Sequence, residues 1–473
     1  MNKIGIIGGG FSGLMVAYHL IINSKSQITI HIIDDNFKNG KGIAYSCNSS
    51  ELILNVTAGK MSAINSDPDH FLNWASKHAD YINTEKKILS NAYLPRNFYG
   101  KYLESIWHEI NTIAINNKII IDVLKKNAVD IDKVNNDFKV TFSDGNTETY
   151  SSCILSTGNQ PPQNPTVFNQ EILQSNIYYQ NPWDEKIYNK INNKLPILII
   201  GNGLSMVDTV IELKNIGFNN KIFSLSPHGY NILPHRTNDV TYEDIKIEYK
   251  ILNNISLLNV LKLINFHRKK LRSLGVSAEA VIDAIRPFSQ EIWRKFTINE
   301  KRIFLNRLRH FWGVARHRLP MQIHDKIQNY RIKNELEIIA GKIIDANVIN
   351  DEIKVLYTNR ITNENSELII GKIINCTGPE MNYSKCDNKL LLNCIRKGYI
   401  QQEDLNLGIN IDVTSFQVKG HNNQIVKNLF TLGSSLRGEL WESTSVTDIK
   451  IQAESVANII LKNNTIHYPL SNQ

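Results

Sequence analysis

Two stretches of the chain carry glycines at a spacing that can hold a phosphate. "KIGIIGGGFSGLMVAYHL", residues 3 to 20, sets Gly8, Gly10 and Gly13 in Gly-x-Gly-x-x-Gly register. "ILIIGNGLSMVDTVIEL", residues 197 to 213, repeats the turn with Gly201 and Gly203 but has Met206 where the third glycine would stand. In such a turn the first glycine lets the chain bend sharply, the second lets backbone touch a pyrophosphate, and the third lets helix and strand pack closely. The following helix offers unpaired N–H groups to the phosphate charge. Phe11 and Ser12 open the first of these helices, Leu204 and Ser205 the second. After the first turn, "QITIHIIDD" ends in Asp34 and Asp35, at the distance expected of a ribose-binding carboxylate.

Two other apolar runs, "CILSTGNQPP" at 153 to 162 and "IINCTGPE" at 373 to 380, end in Thr157-Gly158 and Thr377-Gly378. They read as a matched pair of strand ends near which the chain passes between two nucleotide domains. Residues 428 to 457 again give a strand, a glycine turn at Gly433 and a helix. Ser445 and Asp448 fit a capping box, which starts the helix at Thr444 or Ser445 with its dipole aimed back at the turn. That helix end either serves the pyrimidine charge of a reduced flavin or is a simple cap.

The elements that must position these turns alternate between strand and helix patterns. "KIGIIGG" and "QITIHIIDD", with a helical segment from Ser12 to about Ile22 between them, make a βαβ opening. Polar turns such as 191–194 and 347–352 punctuate the chain, and from about 245 to 335 the pattern is mainly helical. A length of 473 residues accommodates two or three domains of ordinary globular composition. The first apolar run begins at Ile4 and is broken by glycines at once, which argues against a secretory signal. No stretch approaches the roughly 20 apolar residues of a membrane span, and the expected location is cytoplasmic, with no membrane partner.

Five cysteines, Cys47, Cys153, Cys376, Cys386 and Cys394, match neither a disulfide framework nor a zinc site, so no metal is expected. Of the net charge of +8, seven come from residues 294 to 318, where eight Lys/Arg face the single Glu300. This segment is either a solvated helix face or an anion-facing cleft. Nucleic acid is not expected, because no reader motif accompanies it. In the cleft reading Arg316 and Arg318, with Arg307 and Arg309, would meet an anionic small molecule.

These motifs carry a family resemblance. The chain resembles the bacterial FAD/NAD(P)-binding proteins related to flavin-dependent N-hydroxylating monooxygenases and FAD-dependent hydroxylases. The resemblance rests on "GGGFSG" (8–13), "GKGIAYS" (40–46), "LNVTAGKMSAINSDPDHFLNW" (54–74), "LPRNFYGKYL" (94–103), "GNGLSMVD" (201–208), "SPHGYNILPH" (226–235), "FWGVARHR" (311–318), "NCTGP" (375–379) and "GELWEST" (438–444). It implies an α/β fold with two Rossmann-like domains, the NAD(P)-binding one inserted into a discontinuous FAD-binding one. The expected boundaries are 1–175 and 370–473 for FAD and 190–365 for NAD(P)H, the latter holding the helical segment.

The resemblance also implies roles. Asn55, Met61 and Ser62 would lie by the isoalloxazine as catalytic-site residues, while Gly42, Tyr45, Arg96, Tyr99 and Tyr102 would hold the FAD, and Glu442, Ser443 and Thr444 would approach it from the C-terminal side. Where relatives commonly have Ser-Arg, this chain has Ser226-Pro227. His228, Arg236 or the basic segment would then grip the 2′-phosphate of NADPH, or the enzyme would accept NADH.

A flavin reduced by NAD(P)H must pass its electrons on, and no Cys-x-x-Cys or Cys-x4-Cys is present to receive them. Oxygen, or an organic or protein acceptor, is what remains; the first expectation is a monooxygenase in which a C4a-hydroperoxyflavin hydroxylates a small polar metabolite, such as the amine of an amino acid. The alternatives are an FAD-dependent NAD(P)H oxidoreductase without oxygen insertion, and a redox-sensing nucleotide-binding protein.

Overall fold

The computed structural model describes residues 2–189, 191–236, 241–250, 252–350 and 352–466. Asp351, in the polar turn expected at 347–352, lies outside the described residues. The chain forms two compact units, one of residues 1–160 with 381–473, the other of 161–380.

The first unit is built on a six-stranded sheet in the order Gln417–Lys419, Ile425–Thr431, Ser152–Leu155, Asn2–Ile7, Ile28–Ile33, Ile120–Leu124. All neighbours are parallel except the edge pair Gln417–Lys419 and Ile425–Thr431. The near-continuous apolar run Ile28–Ile33 is buried along its whole length, as expected of a parallel strand covered on both faces. Helix Phe11–Asn23 buries Leu14, Ala17 and Leu20 in one core with Ala453, Val456 and Ile460 of helix Val446–Ile466. The C-terminal part of the chain thus completes the sheet begun at the N-terminus, with Phe430 in register with Ile154 and Ile154 with Ile6. A three-stranded antiparallel sheet spans Ala128–Val134, Asp137–Phe142 and Thr147–Tyr150.

The second unit repeats the arrangement. Its seven-stranded sheet runs Asn365–Ile370, Glu352–Asn359, Leu336–Ile349, Ile222–Ser226, Ile197–Ile200, Lys372–Asn375, Tyr178–Tyr179. Leu336–Ile349 pairs parallel with Ile222–Ser226 through Ala340 and, from Gly341 onward, antiparallel with Glu352–Asn359, with a bulge between Ile343 and Asp345. Numbering the parallel strands along the chain, the first sheet runs 3-2-1-4-5 and the second 4-3-2-5-1, its edge strand Tyr178–Tyr179 coming first; in doubly wound sheets ligands bind outside the carboxyl ends where the order reverses. Residues 244–332 are mainly helical, from Asp244–Lys250 to Met321–Ile332, as the sequence suggested. Among the described residues no helix is long and apolar enough to cross a membrane.

Candidate functional site: two glycine cradles

Each sheet carries its glycine turn at the point where its strand order reverses. In the first unit Gly8 ends strand Asn2–Ile7 at φ +105, and a Cβ there would collide with the carbonyl oxygen of Ser156, at the end of the neighbouring strand. Gly201 ends Ile197–Ile200 at φ +104, and its Cβ would collide with the carbonyl oxygen of Cys376 in the same way. Only glycine suits either position, on backbone conformation and on space. Thr157-Gly158 and Thr377-Gly378 continue from these two strand ends.

Gly10 and Gly203 differ from that pair. Both are helix N-caps with negative φ and no side-chain cap, so the first turns of Phe11–Asn23 and Leu204–Asn215 keep unpaired N–H groups. A Cβ on Gly10 would meet only the Cα of Gly42, at 3.4 Å, and one on Gly203 would meet nothing within 4 Å. Space is therefore left over each helix end. Gly13 is a packing glycine, since its Cβ would strike the Gly8 carbonyl. At the equivalent place in the second turn Met206 is buried against the unit.

Asp34 does more for the turn than its expected ribose role. One carboxylate oxygen accepts from the Gly9 N–H at 2.8 Å and the other from the Asn36 N–H at 2.9 Å. Asp35 is exposed at the same strand end.

The segments assigned to FAD by resemblance gather in the first unit. Tyr45 and Tyr99 rings lie 4.7 Å apart and Tyr99 and Tyr102 rings 5.4 Å apart. The Tyr102 hydroxyl meets His70 Nδ1 at 2.7 Å and the Ala63 N–H at 3.3 Å, tying helix Arg96–Asn116 to the turn after Met61. Arg96 Nε donates to the Ile53 carbonyl at 3.2 Å, two residues from the half-buried Asn55. Burial pushes the Tyr45 phenol up to about 12 and raises those of Tyr99 and Tyr102 further, so all three are neutral donors near pH 7. The Tyr99 hydroxyl is fully buried without a hydrogen-bond partner, a cost that a bound polar group would relieve. With the open space at Gly10, these residues fit FAD.

Ser62 is buried beside Met61. Its hydroxyl lies 2.6 Å from the Asp67 carbonyl and 3.0 Å from that of Ile64, and accepts from the Ile64 N–H. From the C-terminal side, Gly433 at φ +80 packs against Ser12, and Ser443 Oγ donates to the Gly433 carbonyl at 2.9 Å. Glu442 adopts φ +66, a left-handed conformation uncommon for a residue with a side chain. Helix Val446–Ile466 starts one residue after Ser445, whose Oγ accepts from the Asp448 N–H at 3.3 Å. Sequence reasoning missed Lys450, which is buried in the first turns of this helix with Nζ 3.2 Å from the Ser62 carbonyl. It also missed Ser156, whose hydroxyl reaches the Ile7 and Gly8 carbonyls at 3.0 and 2.7 Å. A lone lysine inside a helical pattern gives no signal of either kind.

Two arginines expected at ligands are paired with carboxylates. Arg236 lies 3.0 Å from Asp283 and 3.5 Å from Glu279, and Arg318, buried, pairs with Glu279. Each of these arginines thus has a carboxylate partner within its own unit. Arg316 is half-buried at the end of helix Arg309–Arg316. Glu279→Ala is expected to lower the unfolding free energy by about 3–5 kcal/mol, because it strands the buried Arg318 charge. Denaturant titration checks this, and a loss under about 1 kcal/mol would show that the pair is not structural.

Two doubly wound sheets in one chain, each with a glycine turn at its strand-order reversal, have the architecture of two-domain dinucleotide-binding folds. Residues 5–160 match a family model described as FAD-NAD(P)-binding, the cofactor pair read from the sequence. No curated protein matches the chain. Among solved structures, L-lysine 6-monooxygenase from Pseudomonas syringae superposes with a TM-score of 0.68 at 13% identity, over 98% of this chain and 99% of that one. Ornithine hydroxylase from Pseudomonas aeruginosa gives 0.64 at 13% identity over the same shares. Ornithine N-hydroxylase of Kutzneria sp. 744, with reduced FAD, NADP+ and L-ornithine, gives 0.64 at 12%, again over 98% and 99%. The chain therefore has the fold of the N-hydroxylating flavin monooxygenases that its motifs resemble.

Proposed function

We propose that the protein is an FAD- and NAD(P)H-dependent monooxygenase that hydroxylates a small amine-bearing metabolite, with an amino acid as the first substrate class to try. The observation that carries the reading is the pair of open helix ends at Gly10 and Gly203, one in each unit, each at a strand-order reversal. In this reading the first unit holds FAD, residues 161–380 hold the nicotinamide nucleotide, and Asn55 and Met61 border the flavin ring.

FAD, when bound, accepts hydride from the nicotinamide and supplies the electrons that activate O2. The protein's part is to orient and to exclude water: Met61, Tyr99 and Tyr102 are buried, and the two tyrosine phenols stay protonated. Transfer to a thiol pair is disfavoured, since burial raises the thiols of Cys153, Cys376 and Cys394 well above the usual range. The amine substrate is supported by the ornithine and lysine named for the structural neighbours.

The test follows NADPH and NADH oxidation by the purified, flavin-loaded protein in air, with and without L-ornithine, L-lysine and cadaverine. Amine-stimulated oxidation with a hydroxylamine product is expected. Oxidation that ignores O2 but needs another acceptor would replace the reading with a reductase, and a flavin that is never reduced would replace it with a sensor.

A further inference from the structure

The end of strand Ile222–Ser226 is the second strand end of the glycine-turn unit, and in such units it faces the adenosine ribose. An acidic residue there binds the 2′-hydroxyl of NADH, and a nearby arginine accommodates the 2′-phosphate of NADPH. This strand ends in Ser226-Pro227, which offers neither group.

The structure fills the gap from another strand. Arg360 directly follows strand Glu352–Asn359, and its N–H donates to the Ala340 carbonyl at 2.8 Å. Ala340 is in register with Ser226, so Arg360 is carried to the same sheet edge. Its Nη1 lies 3.0 Å from the Pro227 carbonyl and 2.6 Å from His228 Nδ1. Among the described residues no carboxylate pairs with it. Both acceptors thus meet the one nitrogen Nη1 of this exposed residue, and among the described residues nothing bonds Nε or Nη2, which leaves that edge of the guanidinium open.

The surroundings suit an anion beside an aromatic group. The His228 ring stacks on Tyr230 at 5.0 Å and 7°, and His310 lies 4.8 Å from His228. Burial and the nearby Arg360 charge lower the pKa of His228, which favours its neutral form as the acceptor that orients Arg360. The segment also abuts the cradle, since Asn202, between Gly201 and Gly203, donates its side-chain N–H to the Tyr230 carbonyl.

We infer that Arg360, oriented by His228, is the 2′-phosphate clamp of this protein and makes it select NADPH over NADH. The inference rests on the proposed nucleotide role of the second unit but not on oxygen chemistry. A dianionic phosphate would meet the open edge of the guanidinium through two parallel hydrogen bonds, a geometry lysine cannot reproduce.

The test is calorimetric titration of the FAD-loaded protein with 2′,5′-ADP and with 5′-AMP. Wild type should bind 2′,5′-ADP about 10- to 100-fold more tightly, the range set by losing charged hydrogen bonds. Arg360→Ala should remove that preference while leaving 5′-AMP affinity unchanged, and Arg360→Lys should restore it only in part. Equal affinities in wild type, or an Arg360→Ala protein that retains the preference or loses both ligands together, would overturn the inference. A preference that disappears with Arg360 in a protein that hydroxylates nothing would uphold the clamp and sink the monooxygenase reading. Failure of wild type to bind either ligand would sink the clamp and the nucleotide role together.

Discussion

Gly10→Ala is expected to give a protein that folds with wild-type thermal stability and purifies without flavin. Gly10 has φ −80, which alanine adopts freely, and the added methyl would find ordinary contact with Gly42 at 3.4 Å. Nothing in the fold opposes the change. The methyl would stand where the pyrophosphate must touch backbone, and it would separate the ligand from the helix N–H groups. Gly8→Ala is the control with the opposite signature. Its φ of +105 and the collision with the Ser156 carbonyl strain the fold itself, so stability should fall by at least about 1–2 kcal/mol together with the flavin. Absorbance at the flavin band and a thermal melt separate the two cases. Retention of full flavin by Gly10→Ala would show that the space above this helix is not a phosphate cradle.

The same logic divides the second turn. Gly203→Ala should keep both flavin content and melting temperature, yet slow flavin reduction at limiting NADPH by about tenfold or more. Its Cβ would meet nothing within 4 Å, so any effect reports on a ligand and not on packing. Gly201→Ala, at φ +104 and facing the Cys376 carbonyl, should destabilise the second unit. Anaerobic reduction followed at several NADPH concentrations checks this pair. An unchanged rate in Gly203→Ala at every concentration would remove the electron donor from this cradle.

Much of this was legible in the sequence because its signals are local. Apolar runs such as Ile28–Ile33 announce buried parallel strands, and a glycine between strand and helix announces a turn. The Thr-Gly pairs at 157–158 and 377–378 stood out as equivalent, and they do follow the strands that lie against Gly8 and Gly201. What escaped depends on register between distant segments. The sequence pointed to His228 and Arg236 as replacements for the missing arginine at Pro227, but it could not show that Glu279 and Asp283 engage Arg236. Nor could it bring Arg360 beside His228, 132 residues away, because that depends on Ala340 pairing with Ser226 across two strands. Nor could it show that Arg318 pairs with Glu279, which lies outside the basic segment.

The central claim is that two nucleotide cradles serve one oxygen-inserting reaction. It is tested most directly by running the NADPH-supplied, FAD-loaded protein with L-ornithine, L-lysine or cadaverine under 18O2 and weighing the product. The account predicts a hydroxylated amine that is heavier by one 18O atom, made in proportion to the NADPH consumed. A hydroxylated product with its oxygen drawn from water, or NADPH oxidation that yields only hydrogen peroxide with every amine tried, would contradict it.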